Sequence, residues 1–413
     1  SLSSDSAQVI TTDEDIFPFR SSWLSANEIL YTADGSIKKR LIGQEGYSTV
    51  PFTASVTLTR STYARKKYNF DDDSPQPALG IMGPVISPDG QNVAFTALGD
   101  IYLKALAADS PENLTKDLFV DIDPSWSPDG KKLAFLSDRA GNMDLWIYEL
   151  ASGDFTRLVD LEEDLGFPVW SPDGNSIAFF ARDSRNVWGY GELQIVDVRT
   201  GKINALDATY FVPSKPSWSP DSQTLAIMVL QPYSSRYREG LSQIMLIGTD
   251  GEVKDYISPQ EGRTPAIRNV NGPVWAPDGS SIAYIQDGLL WTLPVDGEGQ
   301  PTGEPWQHTK ELASAPSWTA DSQKILYLAT DQLKMLNLSS SEITEVPLNL
   351  NWQRPMHEGS YVVHAGRLFN GKDSTYQENV DIIVEGNRIK EIVAHQTGYD
   401  IPEIDAMDKT IIP

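Results

Sequence analysis

A strand-turn-strand phrase returns six times along this chain, and no other feature limits its fold so tightly. In full it reads P-x-W-S-P-D-G followed by an apolar strand. Three copies are near complete: Pro84 to Gly90, Pro124 to Gly130 and Pro168 to Gly174. Three looser ones run from Pro216 to Ser222, Pro273 to Gly279 and Pro316 to Ser322. Their first prolines are 40, 44, 48, 57 and 43 residues apart, the length of a four-stranded propeller blade with loops of variable size.

Each phrase has a local cause. Proline presets φ at the second turn position, Asp and Gly close the turn, and the flanking apolar residues pair as strands. Two further strand signals follow each turn, such as Asp144 to Tyr148 and Thr156 to Val159, or Leu333 to Leu336 and Ile343 to Val346. A degenerate seventh copy lies at Ser22 to Asn27, with the tryptophan and the strand Glu28 to Thr32 but no Pro-Asp-Gly. No helical period is sustained among the repeats. The expectation is an all-β chain: a seven-bladed β-propeller, with six as the alternative, in residues 1–348 with blades from about residue 15. A linker at 349–358 and a small antiparallel β unit at 359–413 follow.

Charge and composition remove several functions. Thirty-three basic against fifty-seven acidic residues give a net charge of −24, which repels nucleic acid and anionic lipid. No cysteine is present, so disulfides, thiolate metal sites and cysteine nucleophiles are excluded. The longest apolar run, Leu225 to Leu230, is too short to cross a bilayer. A soluble chain without membrane insertion is expected, and homo-oligomerisation is compatible with it.

The repeated W-S-P-D-G phrase resembles that of TolB-type propellers, and of tricorn-like and dipeptidyl-peptidase-like propellers. Such a scaffold serves binding, gating and catalysis alike, and the TolB resemblance implies a periplasmic or secreted location.

After Gly359 the tryptophan phrase is gone. Tyr361 to Gly371 reads as a strand ending in a turn, Val380 to Ile392 as a hairpin turning at Gly386-Asn387, and Ile404 to Pro413 as a further short hairpin. The order AGRLFNG, VDIIVEGNRIKEI, IDAMDKTIIP resembles the β-sandwich start of amidohydrolase-superfamily enzymes. That resemblance implies a parent enzyme with a (β/α)8 barrel outside these residues. The barrel would hold one or two divalent metals, usually zinc, and hydrolyse a carbon–nitrogen bond of a small amide or dipeptide.

Within the 413 residues no catalytic, cofactor-binding or metal-ligating set is nameable. The in-register Asp89, Asp129, Asp173, Asp221, Asp278 and Asp321 read as turn residues. His308, His357, His364 and His395 lack the H-x-H or i,i+4 spacing of a metal pair and read as surface or packing residues. Asp71-Asp72-Asp73 and Glu162-Glu163-Asp164 lack a calcium-loop pattern. The tryptophans at 126, 170, 218, 275 and 318 read as packing between blades rather than a carbohydrate platform. Neither a G-x-S-x-G elbow nor a Walker A motif occurs, and Gly297 to Gly303 fits no dinucleotide turn.

Three functions follow. The first is the amino-terminal part of a metal-dependent amidohydrolase, with the propeller as access filter. The second is a TolB-like propeller that docks a partner protein. The third is the propeller of a dipeptidyl-peptidase-like serine hydrolase. A His-x-His soon after Pro413 selects the first, a stop the second and a downstream G-x-S-x-G the third.

Overall fold

Sheet after sheet of four antiparallel strands follows from the repeated turn. The computed structural model describes residues 9–413 except 18, 60, 61, 63, 65, 66, 183–189, 212, 233–239, 268 and 373, and no helix occurs among the described residues. The chain forms two compact units, Ser1–Asn69 and Phe70–Pro413. In the first, Ser22–Trp23, Glu28–Ala33, Ser36–Leu41 and Ser48–Val50 form one sheet. Glu14 organises its polar side by accepting hydrogen bonds from Tyr31 Oη at 2.9 Å, Arg40 Nη2 at 3.2 Å and Lys38 Nζ at 3.3 Å.

The second unit contains six four-stranded sheets, here I to VI, whose first strands are Met82–Ile86, Asp121–Trp126, Asp164–Trp170, Ser217–Trp218, Val274–Trp275 and Ser314–Trp318. In each, the S-P-D-G phrase or its looser copy joins the first strand to the second. In sheet II the amide of Gly130 donates to the Ser127 carbonyl at 2.9 Å, closing the turn. The Ser127 hydroxyl donates to Asp129 at 2.7 Å and accepts from the Lys132 amide at 2.9 Å. The same pattern returns at Ser87, Ser171, Ser219 and Thr319. Gly130 has φ 69°, a left-handed turn position that glycine fills without strain.

A four-stranded sheet cannot bury both faces alone, and each sheet here packs on the next. Apolar clusters bridge I to II, II to III, III to IV, IV to V and V to VI. A sixth cluster, with Phe95, Val93, Leu326 and Leu333, bridges VI back to I. The Ile86 amide, donating to Ser317 Oγ at 3.2 Å, adds a polar link at the same seam. The ring therefore closes on six sheets. Of the two expected counts, six is the number of sheets in this ring, and the degenerate copy at Ser22 to Thr32 lies in the sheet of the other unit.

The repeat tryptophans do sit between sheets, as their spacing suggests, and all five are buried. Their polar links alternate around the ring. The indoles of Trp126, Trp218 and Trp318 donate at 2.9–3.1 Å to the carbonyls of Val85, Val169 and Val274 in the preceding sheets. At the intervening seams a serine takes the place of that valine. Ser125 and Ser217 accept the amides of Trp170 and Trp275 through their hydroxyls, at 3.1 and 2.8 Å. The indole nitrogens of Trp170 and Trp275 find no acceptor among the described residues.

Beyond the ring, Asn351–Trp352 pairs with Gln76–Pro77. Ser360–Leu368, Gln377–Glu385, Arg388–Ala394 and Glu403–Ile411 then form a four-stranded sheet in which Ser360–Leu368 and Gln377–Glu385 are the inner strands. The hairpin at Gly386-Asn387 forms as expected. Ile404 to Pro413 does not make a hairpin of its own, and the unit is not purely antiparallel. Residues 395–402 carry the chain across to the far edge, where Glu403–Ile411 pairs parallel with Ser360–Leu368. The two strands come so close at a register shift that a side chain at Gly366 would strike the Met407 carbonyl. Asn387 and Arg388 tie the hairpin to Phe70 and Asp71, the ion pair spanning 2.7 Å.

The seams carry the stability of the ring. Trp218→Ala should therefore cost about 3–5 kcal/mol in denaturant unfolding, as large buried aromatics do. Trp306→Ala, at an exposed position, should stay within about 0.5 kcal/mol. Equal effects at both positions would contradict the seam assignment.

Candidate functional site

The six first strands run side by side around a central channel, a cavity of ≈ 150 Å³ lined by Val85, Ser125, Val169, Ser217, Val274 and Ser317 among others. At the strand starts, away from the S-P-D-G turns, the residue before the repeat proline turns out of the ladder. Gly83, Asp123, Phe167 and Ala315 all have φ between 50° and 56°, each at a bulge in the pairing of first and second strands. In sheets IV and V the ladder is replaced by a lateral link, the Lys215 amide donating to the Asn269 carbonyl at 2.8 Å.

This arrangement gathers charge at one mouth of the channel. Asp123 Oδ2 accepts the Phe167 amide at 3.3 Å, and its other oxygen faces the space beside Gly83 and Val270. Burial pushes the Asp123 carboxyl up, while Lys215 and then Arg182 act to lower it. Burial pushes Lys215 down, and Asp123 opposes that shift. Arg182 stacks over the Phe167 ring at 5.0 Å and also feels Asp123. Lys215 and Arg182 thus both lie within electrostatic reach of the Asp123 carboxyl. Sequence reading missed this set because its members are 33 to 92 residues apart and lie on three sheets; the proline after Asp123 and after Lys215 was the available signal.

At the other mouth the five repeat tryptophans, Ile86 and the turn prolines line a cavity of ≈ 360 Å³. The turn aspartates next to it are occupied structurally: each accepts the amide two residues on at 3.0–3.1 Å. The other acidic clusters also have structural partners. Asp71 pairs with Arg388, Asp72 accepts from Ser74, and Asp164 accepts the Met143 amide.

The histidines separate into three environments. His308 is within 2.8 Å of the Thr292 hydroxyl, and burial lowers its pKa. His357 meets Tyr361 edge-on. His364 and His395 come together in the C-terminal sheet, their rings stacked at 3.6 Å with 6° between the planes. Asp381 is directly paired with His364 across the strands and lies 2.9 Å from His395 Nδ1. The H-x-H criterion overlooks such a set, because it tests one strand while these residues neighbour across three. Asp381 is 1% exposed and accepts the Gln396 amide and the Tyr399 hydroxyl on its second oxygen. Burial works against its charge, yet His395 and these donors hold it below the usual carboxylate value.

Residues 78–268 match the TolB beta propeller domain family, PD40. The chain thus contains a TolB-like β-propeller. It is 38% identical over 61 residues to a TolB homolog of Chlorobium luteolum, a match covering 15% of this chain and 14% of that protein. It is 28% identical over 132 residues to the Tol-Pal system protein TolB of Ruthia magnifica, covering 29% of this chain and 31% of the relative. The matches thus span under a third of either curated relative. The crystal structure of TolB from Acinetobacter baumannii superposes with a TM-score of 0.49 at 16% identity, over 80% of this chain and 79% of that one.

Two outcomes test this geometry. Lys215→Met leaves Asp123 without its main counter-charge and should cost about 1–3 kcal/mol, the penalty for stranding a partly buried polar group. Asp123→Asn in the same chain should restore most of that loss, and additive losses would refute the coupling.

The turns give a pH signature. Hydroxyl donors hold Asp89, Asp129, Asp221 and Asp321 below their ordinary 3.8. Their contribution is complete above that value and is lost as pH falls through the lower folded values. Replacing Ser87, Ser127 and Ser219 with Ala and Thr319 with Val should flatten the stability slope between about pH 4 and 2. An unchanged slope would exclude these turns as its source.

Proposed function

We propose that this chain is a TolB-like binding propeller whose channel mouth takes an anionic group, a chain terminus or an acidic side chain, from a partner protein. The observation that carries this reading is Lys215 in the wall of the channel cavity, with Asp123 and Arg182 within electrostatic reach of one another beside it. The channel cavity of ≈ 150 Å³ is below the roughly 300–1,000 Å³ of small-molecule pockets, which suits one or two residues of an inserted segment. The TolB likeness supports a periplasmic setting for such a partner.

Peptides ending in a free carboxylate, compared with their amidated forms, test this by fluorescence anisotropy. The free acids should bind more tightly, with affinity falling at least about tenfold in Lys215→Met, the equivalent of one lost charge-assisted bond. Equal binding of acid and amide, or indifference to Lys215, would remove the proposal.

A second reading has its own support. Ile389, Ile392, Ile404, Met407 and Ile412 are exposed in the C-terminal sheet, as suits one layer of a sandwich that another layer covers. With the resemblance of its three phrases, this favours a parent amidohydrolase whose barrel binds divalent metal, zinc above all, and hydrolyses a carbon–nitrogen bond of an amide or dipeptide. The sequence after Pro413 in the gene tests it first. A His-x-His there, with chelator-sensitive hydrolysis by the whole protein, would support the enzyme, whereas a stop codon would dismiss it.

A further inference from the structure

His364, Asp381 and His395 offer three ligand atoms that all lie within 4.8 Å of one another. We propose that they form a divalent transition-metal site, best suited to zinc, on the C-terminal sheet, with His364 and Asp381 on its two inner strands and His395 just past the end of the edge strand Arg388–Ala394. The site is independent of the channel reading and of any barrel metal.

The donor set selects the ion. Two imidazoles and one carboxylate suit zinc and its first-row neighbours, whereas calcium and magnesium favour all-oxygen sites. Three protein ligands leave a fourth tetrahedral position for water. Ligand atoms around a four-coordinate zinc stand about 3.3 Å apart, given metal–ligand bonds of about 2.0–2.1 Å. His395 Nδ1 and Asp381 Oδ1, 2.9 Å apart, already lie near that spacing, whereas the two parallel imidazoles must turn out of their stack for both lone pairs to meet on one ion.

The surrounding hydrogen bonds point the donor atoms the same way. His364 Nε2 donates to Asn379 Oδ1 at 3.0 Å, so Nδ1 of the neutral ring keeps its lone pair, and a hydrogen bond on the far nitrogen is the usual support of a metal-bound histidine. Asp381 is anchored through Oδ2 by Gln396 and Tyr399, leaving Oδ1 for the ion. The ion takes the place of the hydrogen between Asp381 and His395 Nδ1, and the proton of the neutral ring moves to Nε2. No proton is lost from the pair in that exchange.

Titration of the metal-free 413-residue chain with zinc chloride, followed by calorimetry, should give one tight site per chain. Cobalt(II) should give the strong visible absorption of a four-coordinate ion. His364→Ala and His395→Ala should each weaken zinc at least about tenfold, within the range that loss of metal-site groups produces. Both positions are partly exposed, so the variants should remain folded by circular dichroism. If either alanine variant does unfold, His364→Gln and His395→Gln carry the same expectation. Absence of stoichiometric zinc in the wild-type chain would overturn the proposal. So would zinc binding unchanged in the histidine variants, which would place the ion at acidic groups elsewhere.

Discussion

Everything in the larger unit depends on the seam between its last sheet and its first. Five of the six inter-sheet contacts join neighbours in sequence and could form in an open arc. The sixth joins Ile86 and Phe95 to Ser317 and Leu326, more than two hundred residues apart, so its loop-closure entropy is the largest in the ring. Without it two sheets would each expose an apolar face, and the six first strands would have no common axis. The channel exists because that seam closes.

Closure also explains why charge can sit at the channel mouth. The bulges at Gly83, Asp123, Phe167 and Ala315 take the residue before proline out of its ladder, and the freed amides need new acceptors. Asp123 supplies one for Phe167, and Asn271 supplies one for Ala315 at 3.1 Å. A carboxylate placed there for a structural reason then draws Lys215 and Arg182. Structural need and binding potential coincide in the same side chain.

The repeat was legible because its physics is local. A Pro-Asp-Gly turn, an apolar strand on either side and a tryptophan at constant phase can be read within one copy, and the buried tryptophans at 126, 170, 218, 275 and 318 follow. The number of sheets in the ring was not legible, because Ser22 to Thr32 has the strand pattern of a repeat while its place depends on long-range contacts. The parallel pairing of Glu403–Ile411 escaped for the same reason, since a strand's partner is not written in its own alternation. The meeting of His364, Asp381 and His395 depends on the register of three strands and a crossover. Residue spacing along the chain carries no trace of it.

The alternation of valine and serine before the tryptophan position has a further consequence. In outline the ring repeats six times, but in hydrogen bonding it repeats three times, with a pair of sheets as the unit: an indole donates back to the preceding sheet at one kind of seam, and a serine hydroxyl accepts the next sheet's amide at the other. An odd-membered ring would have to set two like seams side by side, so that one junction lost its serine acceptor or one more indole lost its carbonyl. In this ring the pair of sheets, rather than the single sheet, is the unit that the seam hydrogen bonds repeat.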